Sequence, residues 1–365
     1  MGCSYPLVDT VRCIDCGLCA LTCPFVRPAD PLQPKACYAA IHKDDGQRMA
    51  SSSGGVFVAL ARQTITRGGV VFGAVFTEDW RVRHTHAETM ECVLPMMGSK
   101  YVQSDTNHTF LQAKCFLEAG REVLFTGTPC QIAGLKHYLK KDYPTLLAVE
   151  VICHGVPAPA VWKSYIQETL LRLNKNNPTP DSCKKNIITG IAFRNKSRGW
   201  KNYRIEFRTT TFSQIEVAST NQYMRTFLRD WNLRPSCYAC KAKSGASQAD
   251  MTIGDFWGID KTDIIFDDDK GVSCVVCRSQ KGQDAIKNLE QLTLISVDYP
   301  VIYKGNPNLE KSVTQTISAR RFRRLFPHHG FYRTVDKLEH LSIVCRGAGF
   351  LLRSLKAFKK VLCNA

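Results

Sequence analysis

Hydrophobic positions fall along the chain in short blocks, and their spacing predicts strands and helices in alternation. In VFVALARQTITRG, Val56, Leu60 and Ile65 recur at helical spacing behind the polar turn Ser51-Ser52-Ser53-Gly54-Gly55, and Gly68-Gly69 stops the helix. VVFGAVF then reads as a buried strand. EVLFTGTPCQIAGL predicts a strand running into Thr126-Gly127-Thr128-Pro129-Cys130, with a helix behind it, and LLAVEVIC predicts the next strand, ending at Cys153 before His154. A helix over residues 160–173, a polar boundary loop in NKNNPTPDSCKKN, two strands around Ser197-Arg198-Gly199, a helix in NQYMRTFLRDWN and a strand in ADMTIGDFWGI extend a mixed α/β pattern. Loops at the carboxyl ends of strands are where open α/β sheets bind ligands. Cys130 and Cys153 therefore converge if their strands are neighbours.

Two cysteine patterns carry chemistry. Residues 13–24 read CIDCGLCALTCP, the C-x2-C-x2-C-x3-C-P spacing of bacterial ferredoxins, in which a tight loop aims thiolates at one cubane and Pro24 opens a helix. Cys13, Cys16 and Cys19 are expected to ligate one 4Fe-4S cluster, with Cys23, Cys37 or Cys3 as candidate fourth ligands. A zinc site more often pairs two cysteines with a second, distant pair. Cys237 and Cys240 have the spacing of such a pair and, with Cys130 and Cys153, supply four thiolates for a second 4Fe-4S cluster or a structural zinc. Cys274 and Cys277 lie in the apolar run VSCVVC, where a three-residue separation on a strand sends side chains to opposite faces, so both read as core thiols. Cys92, Cys115, Cys183, Cys345 and Cys363 lack partner spacing. The Ser51–Gly55 turn, at a helix start, suits either a bound phosphate or ordinary capping.

Composition adds bounds. A chain of 365 residues accommodates two or three modules, and its 44% hydrophobic and 22% charged content is globular. Seventeen cysteines at metal-ligand spacings, without a signal peptide ahead of them, fit a reducing cytoplasm better than a disulfide framework. The formal charge of +17 attracts something acidic: a nucleotide, an acidic redox carrier, nucleic acid or an anionic membrane surface. GFLLRSLKAFKKVL has the pattern of a basic amphipathic helix, suited to peripheral contact with a membrane or an acidic partner; docking on the protein's own core is the commoner outcome.

The blocks SSSGGVFVALARQTITRGGVVFGAVF, GSKYVQSD, VLFTGTPCQIAGLKHYL, VICHGVPAPAVW, FRNKSRGWKNY and RPSCYACKAKSGASQADMTIGDFWGI, together with YPLVDTVRCIDCGLCALTCPF, resemble the coenzyme F420 hydrogenase/dehydrogenase beta-subunit family nearly end to end. The resemblance implies an iron–sulfur flavoprotein of α/β class. It would have a ferredoxin-like module (1–45), a mixed α/β flavin-binding core in two parts (46–175 and 176–340) and a basic helical tail (341–365). It implies that Cys130, Cys153, Cys237 and Cys240 hold a 4Fe-4S cluster, and that Ser53, Gly54, Gly55, Ser99, Lys100, Tyr101, Thr126, Gly127 and Thr128 line an FAD site. Relatives with a ferredoxin module usually carry two cysteine runs, so a truncated start or one lost cluster is expected. The expected function is electron transfer between one or two 4Fe-4S clusters, FAD and a redox partner protein or soluble carrier such as ferredoxin, F420 or NAD(P)H. Lys100 would place a cation by the flavin, and His154 would donate a proton or hydrogen-bond behind Cys153. The alternatives are an electron-relay subunit without its own substrate, and a zinc protein that binds nucleic acid; no specific nucleic-acid contact is expected on the first reading.

Overall fold

The computed structural model describes residues 2–3, 5–176 and 186–362; Cys183 and Cys363 lie outside them, as do the side chains of 342–362, including Cys345 and the expected basic face. The chain builds a mixed sheet of eight strands from β1 (Ala36–His42), β2 (Val70–Phe76), β3 (Val82–Ala87), β4 (Val123–Gly127), β5 (Leu146–Val151), β9 (Met251–Asp255), β10 (Ser273–Cys277) and β11 (Leu292–Ser296). Between β5 and β9 in sequence, β6 (Ile188–Asn195), β7 (Arg204–Thr209) and β8 (Ser213–Val217) form a separate antiparallel sheet. The large sheet runs β11-β1-β10-β9-β5-β4-β2-β3. Its strands β2, β4, β5 and β9 are parallel, and β1 points the same way because it pairs antiparallel with β10, as β9 does. Five strands therefore end on one edge.

The continuous apolar runs of β2 and β4 are what a strand needs when both faces are covered. Alternate residues sort accordingly. Val71, Val75 and Leu124 pack with Val56, Ala59 and Leu60 of the helix Val56–Thr66. Val70, Phe72, Val123 and Phe125 face the helices Thr109–Glu118 and Pro129–Leu139 through Ala113, Ile132 and Leu135 on the other side. The same alternation splits VSCVVC: Cys277 joins the first of these cores and Cys274 a third, with Cys37, Trp200 and Phe256. Both thiols are fully buried, as the strand period required.

An aromatic core built on Trp162, Tyr165, Phe193, Phe207, Tyr223 and Phe331 joins the smaller sheet to the helices Pro159–Asn176 and Gln222–Leu228. The final helical stretch, Ile317–Leu362, breaks at Gly330 (φ 70°). Its second half starts against the Glu168 carboxylate, which accepts from the Phe331 and Tyr332 N–H groups at 2.7 and 3.1 Å and caps a helix start that would otherwise leave donors unpaired.

No helix among the described residues is long and apolar enough to cross a membrane.

Candidate functional site

The loops leaving the shared edge carry most of the residues singled out from the sequence. Parallel pairing of β4 with β5 sets Gly127 across from Glu150, so the segments that follow bring Cys130 and Cys153 to the same end of the sheet. Cys130 sits in the first turn of the helix Pro129–Leu139, where Thr128 and Gln131 form a reciprocal capping box, and the Thr128 hydroxyl lies 3.3 Å from Cys130 Sγ. Cys237 lies within a short 3-10 helix, Pro235–Ala239, that ends at Cys240, and the Val156 N–H donates to Cys237 Sγ at 3.4 Å. The thiols act on one another. Burial, and then the neighbouring Cys130 and Cys237, raises the pKa of Cys153, and burial together with Cys130 and Cys240 pushes Cys237 up to about 12. Cys240 is raised by burial and by Cys130.

Among the described residues no group of three or more His, Cys, Asp or Glu is gathered as ligands around a single metal ion would be. A zinc ion with bonds of about 2.3 Å draws its sulfurs to about 3.8 Å from each other, whereas a cubane is a wider body with a thiolate on each iron corner. Four half-buried thiols within electrostatic reach of one another, one of them accepting an N–H, form a donor set of the kind the wider group takes.

His154 follows Cys153 and is held on both sides. The Asn308 amide donates to Nδ1 at 3.0 Å, and Nε2 lies 2.6 Å from the Asp230 carboxylate without hydrogen-bond alignment. It is thereby fixed in orientation, as a histidine that hydrogen-bonds behind a ligand would be.

The other expected loops are clipped together beside this set. Ser99 donates through N–H to Ser52 Oγ at 2.7 Å, joining Ser99-Lys100-Tyr101 to the Ser51–Gly55 turn. Ser53 Oγ donates to the Val272 carbonyl, and the Gly54 N–H donates to Ser273 Oγ. A side chain at Gly54 would meet the Ala40 carbonyl at 2.2 Å, so only glycine fits there. Gly55 (φ 93°) starts the helix Val56–Thr66 without a side-chain cap, which leaves its first N–H groups for an anion and makes the turn fit a phosphate-bearing cofactor. Lys100 is half-buried, and its Nζ donates to the carbonyls of Met96, Met97 and Gly98; desolvation pushes its pKa down to about 7.

Thr126 is tied to the site through His84. Nε2 of His84 lies 3.0 Å from the Thr126 carbonyl and Nδ1 lies 2.6 Å from Ser104 Oγ, so a neutral imidazole satisfies both contacts. Burial lowers its pKa to about 4. The unfolded state then binds a proton that the folded state refuses between about pH 6.5 and 4, and stability falls as pH drops through that window, by at most about 3 kcal/mol. Urea titrations at pH 7 and pH 4.5 are expected to show this loss, and His84→Gln is expected to flatten it; an equal acid loss in the variant would refute the assignment.

Residues that the sequence pattern did not single out complete the edge. Arg194 and Lys196, at the end of β6, reach across from the smaller sheet. Arg194 donates to Asp255 at 3.0 Å and to the Ser52 carbonyl at 3.3 Å, and stacks 3.8 Å from the Tyr203 ring. Trp200 Nε1 donates to the same Asp255 at 2.8 Å and its ring stacks on Trp257. Lys196 Nζ holds the carbonyls of Arg48, Ser53 and Lys270. Two basic residues beside an aromatic one in FRNKSRGWKNY were the available signal, but in sequence they read as a hairpin turn.

The N-terminal run differs in part from expectation. Asp9 Oδ1 accepts from the Val11 and Arg12 N–H groups and shapes the approach, and Gly17 (φ 68°) starts the helix Leu18–Thr22. This helix ends at Cys23, and Pro24 opens a turn rather than a helix, since the Val26 and Arg27 N–H groups both return to the Cys23 carbonyl. Cys13, Cys16 and Cys19 are exposed and Cys23 half-buried. Among the candidate fourth ligands, Cys37 is buried in β1, where burial pushes its thiol up to about 11, and Cys3 lies near Arg234, as Cys237 does. The helix Leu18–Thr22 packs against Pro129–Leu139, the helix that carries Cys130. Cys92 and Cys115 are exposed. A polar surface cleft lined by Arg62, Gln63, Thr66, Arg67 and Glu290 lies at the far end of the helix Val56–Thr66 from Gly55, away from the thiols.

Fold and site together describe an α/β protein with a cysteine-lined edge. Residues 120–300, the stretch that supplies Cys130, Cys153, Cys237 and Cys240, match the family described as the C terminus of the coenzyme F420 hydrogenase/dehydrogenase beta subunit. That span is similar to this family, one of oxidoreductase subunits. A solved chain from the xenon-derivatised F420-reducing NiFe hydrogenase complex of Methanosarcina barkeri is similar at 14% identity and TM-score 0.48, over 83% of this chain and 97% of that one. No curated protein matches.

Proposed function

We propose that the protein is an iron–sulfur flavoprotein oxidoreductase that passes electrons between 4Fe-4S clusters, FAD and a soluble carrier or small substrate. The observation that carries this reading is the meeting of four thiols, from three separate stretches of chain, beside two hydrogen-bonded loops at the carboxyl edge of the sheet. Cys130, Cys153, Cys237 and Cys240 would hold one cluster, and Cys13, Cys16 and Cys19 another. Ser53, Gly54, Gly55, Ser99, Tyr101, Thr126, Gly127 and Thr128 would line the FAD. A flavin, when bound, joins one-electron clusters to two-electron carriers.

The chain's own residues set the conditions for that exchange. Arg194 and Lys196 fix the Ser51–Gly55 turn from outside through the Ser52 and Ser53 carbonyls. Lys100 spends its three donors on its own loop, so it shapes the site and acts on it through its charge. His154, next to Cys153 in the chain, is oriented through Nδ1 by the Asn308 amide.

The exposed N-terminal thiols favour a protein partner for electron entry: Val11 and Ile14 beside them are 93% and 85% exposed, an apolar surface suited to docking a carrier. Anaerobic purification followed by iron, sulfide and flavin assays tests the reading. About four or eight irons and one FAD per chain are the expected result. Colourless protein with stoichiometric zinc would overturn it.

A further inference from the structure

Lys243 is a basic residue that neither the proposed clusters nor the proposed flavin site has used. It is only 7% exposed, and Nζ donates at 2.6 Å to the Cys153 carbonyl and at 2.6 Å to the Asn308 carbonyl. Both acceptors are neutral, so neither cancels the ammonium charge. A buried charge requires compensation from nearby charge of opposite sign. Glu150 is a carboxyl within electrostatic reach, itself buried, accepting from Thr252 and raised in pKa by that burial toward the neutral acid. The Lys243 Nζ is anchored on the backbone of Cys153, one of the four thiol residues, and Cys240 stands three positions before Lys243 in the chain.

The surroundings hold the lysine in place. Ser244 N–H donates to the Leu309 carbonyl and Cys240 N–H to Ser312 Oγ, fastening the segment on both sides of Lys243 to the turn around Pro307–Leu309. Asn308 of that turn also donates to His154. Lys243 thus bridges the end of β5 and an outer wall, with its ammonium fixed at the backbone of Cys153.

We propose that Lys243 is the counter-cation of the Cys130, Cys153, Cys237 and Cys240 set and holds the reduction potential of the group bound there above the value four thiolates alone would give. The inference rests on the reading of these thiols as cluster ligands. Reduction adds negative charge to the cluster, and a fixed cation in a low-dielectric setting favours the more negative state. Lys243 is a positioning residue in this role: it acts through the ligands and touches no substrate.

The test uses the full chain carrying Cys16→Ser and Cys19→Ser, so that the exposed N-terminal run contributes no signal. Iron and sulfide are measured first, and the midpoint potential is then read by spectroscopic titration. Lys243→Met is expected to make reduction about tenfold less favourable, about 59 mV lower for one electron. Lys243→Gln, which keeps a hydrogen-bond donor without charge, is expected to show the same drop, and Lys243→Arg to stay near the parent. If iron is bound and the Met and Gln variants titrate with the parent, the inference fails while the cluster reading stands. If the parent binds no iron, the cluster reading fails and the inference with it.

Discussion

Cys237→Ala is expected to leave a folded protein with about four irons fewer per chain and electron transfer through the flavin reduced by more than about 100-fold. The side chain is half-buried and packs at the margin of the aromatic core, so its removal costs little stability. Its sulfur, however, accepts the Val156 N–H and interacts with Cys130 and Cys240. Losing one of four ligands exceeds the 10- to 100-fold effect typical of losing an outer hydrogen-bond partner alone. Cys277→Ala is the control: that thiol lies on the core face of β10 against the helix-covered side of the sheet, and its loss is expected to leave iron content unchanged. Iron quantitation on the two purified variants separates them. Equal iron in the Cys237→Ala variant and the parent would remove Cys237 from the ligand set.

Arg194→Leu is expected to destabilise the protein by about 3–5 kcal/mol, because it strands a carboxylate whose ion-pair partner is buried. The Arg194 side chain is 3% exposed and Asp255 17%, at a separation of 3.0 Å. Trp200 would remain as one donor to Asp255, which sets the cost toward the lower end of that range. Arg194 also holds the Ser52 carbonyl, so the variant is expected to lose flavin occupancy along with stability. Urea unfolding of Arg194→Leu, Asp255→Leu and the double variant closes a cycle. Recovery of at least half the loss in the double variant supports the pair, and strictly additive losses would show that the two side chains act independently.

What the sequence made legible, and what it did not, follows from the distance over which each signal acts. β2, β4, β5 and β9 and the helices behind them were readable because a covered strand must be apolar throughout, and a local pattern shows that. β3, with the polar sequence VRHTHA, and β11 lie at the two sheet edges, and β8 at the edge of the smaller sheet; half-exposed strands dilute the apolar signal below recognition. The runs Cys13–Cys23 and Cys237–Cys240 stood out because their spacing is local, whereas Cys130 and Cys153 were reached only through the strands that precede them. Arg194, Asp230, Lys243 and Asn308 were not legible, since each gains its role from a partner between 61 and 154 positions away. Pro24 failed for the opposite reason. The spacing rule assigned it a helix start, but the neighbouring Cys23 carbonyl collects two N–H groups and closes a turn.

The placement of β1 between β10 and β11 has a consequence for biogenesis. Both of its neighbours are translated more than two hundred residues after it, so its backbone donors and acceptors wait for partners while that stretch is made. An N-terminal fragment that stops short of β10 would present Ala36–His42 with both flanks open, and nascent chains of that length would be ready clients for holdase chaperones.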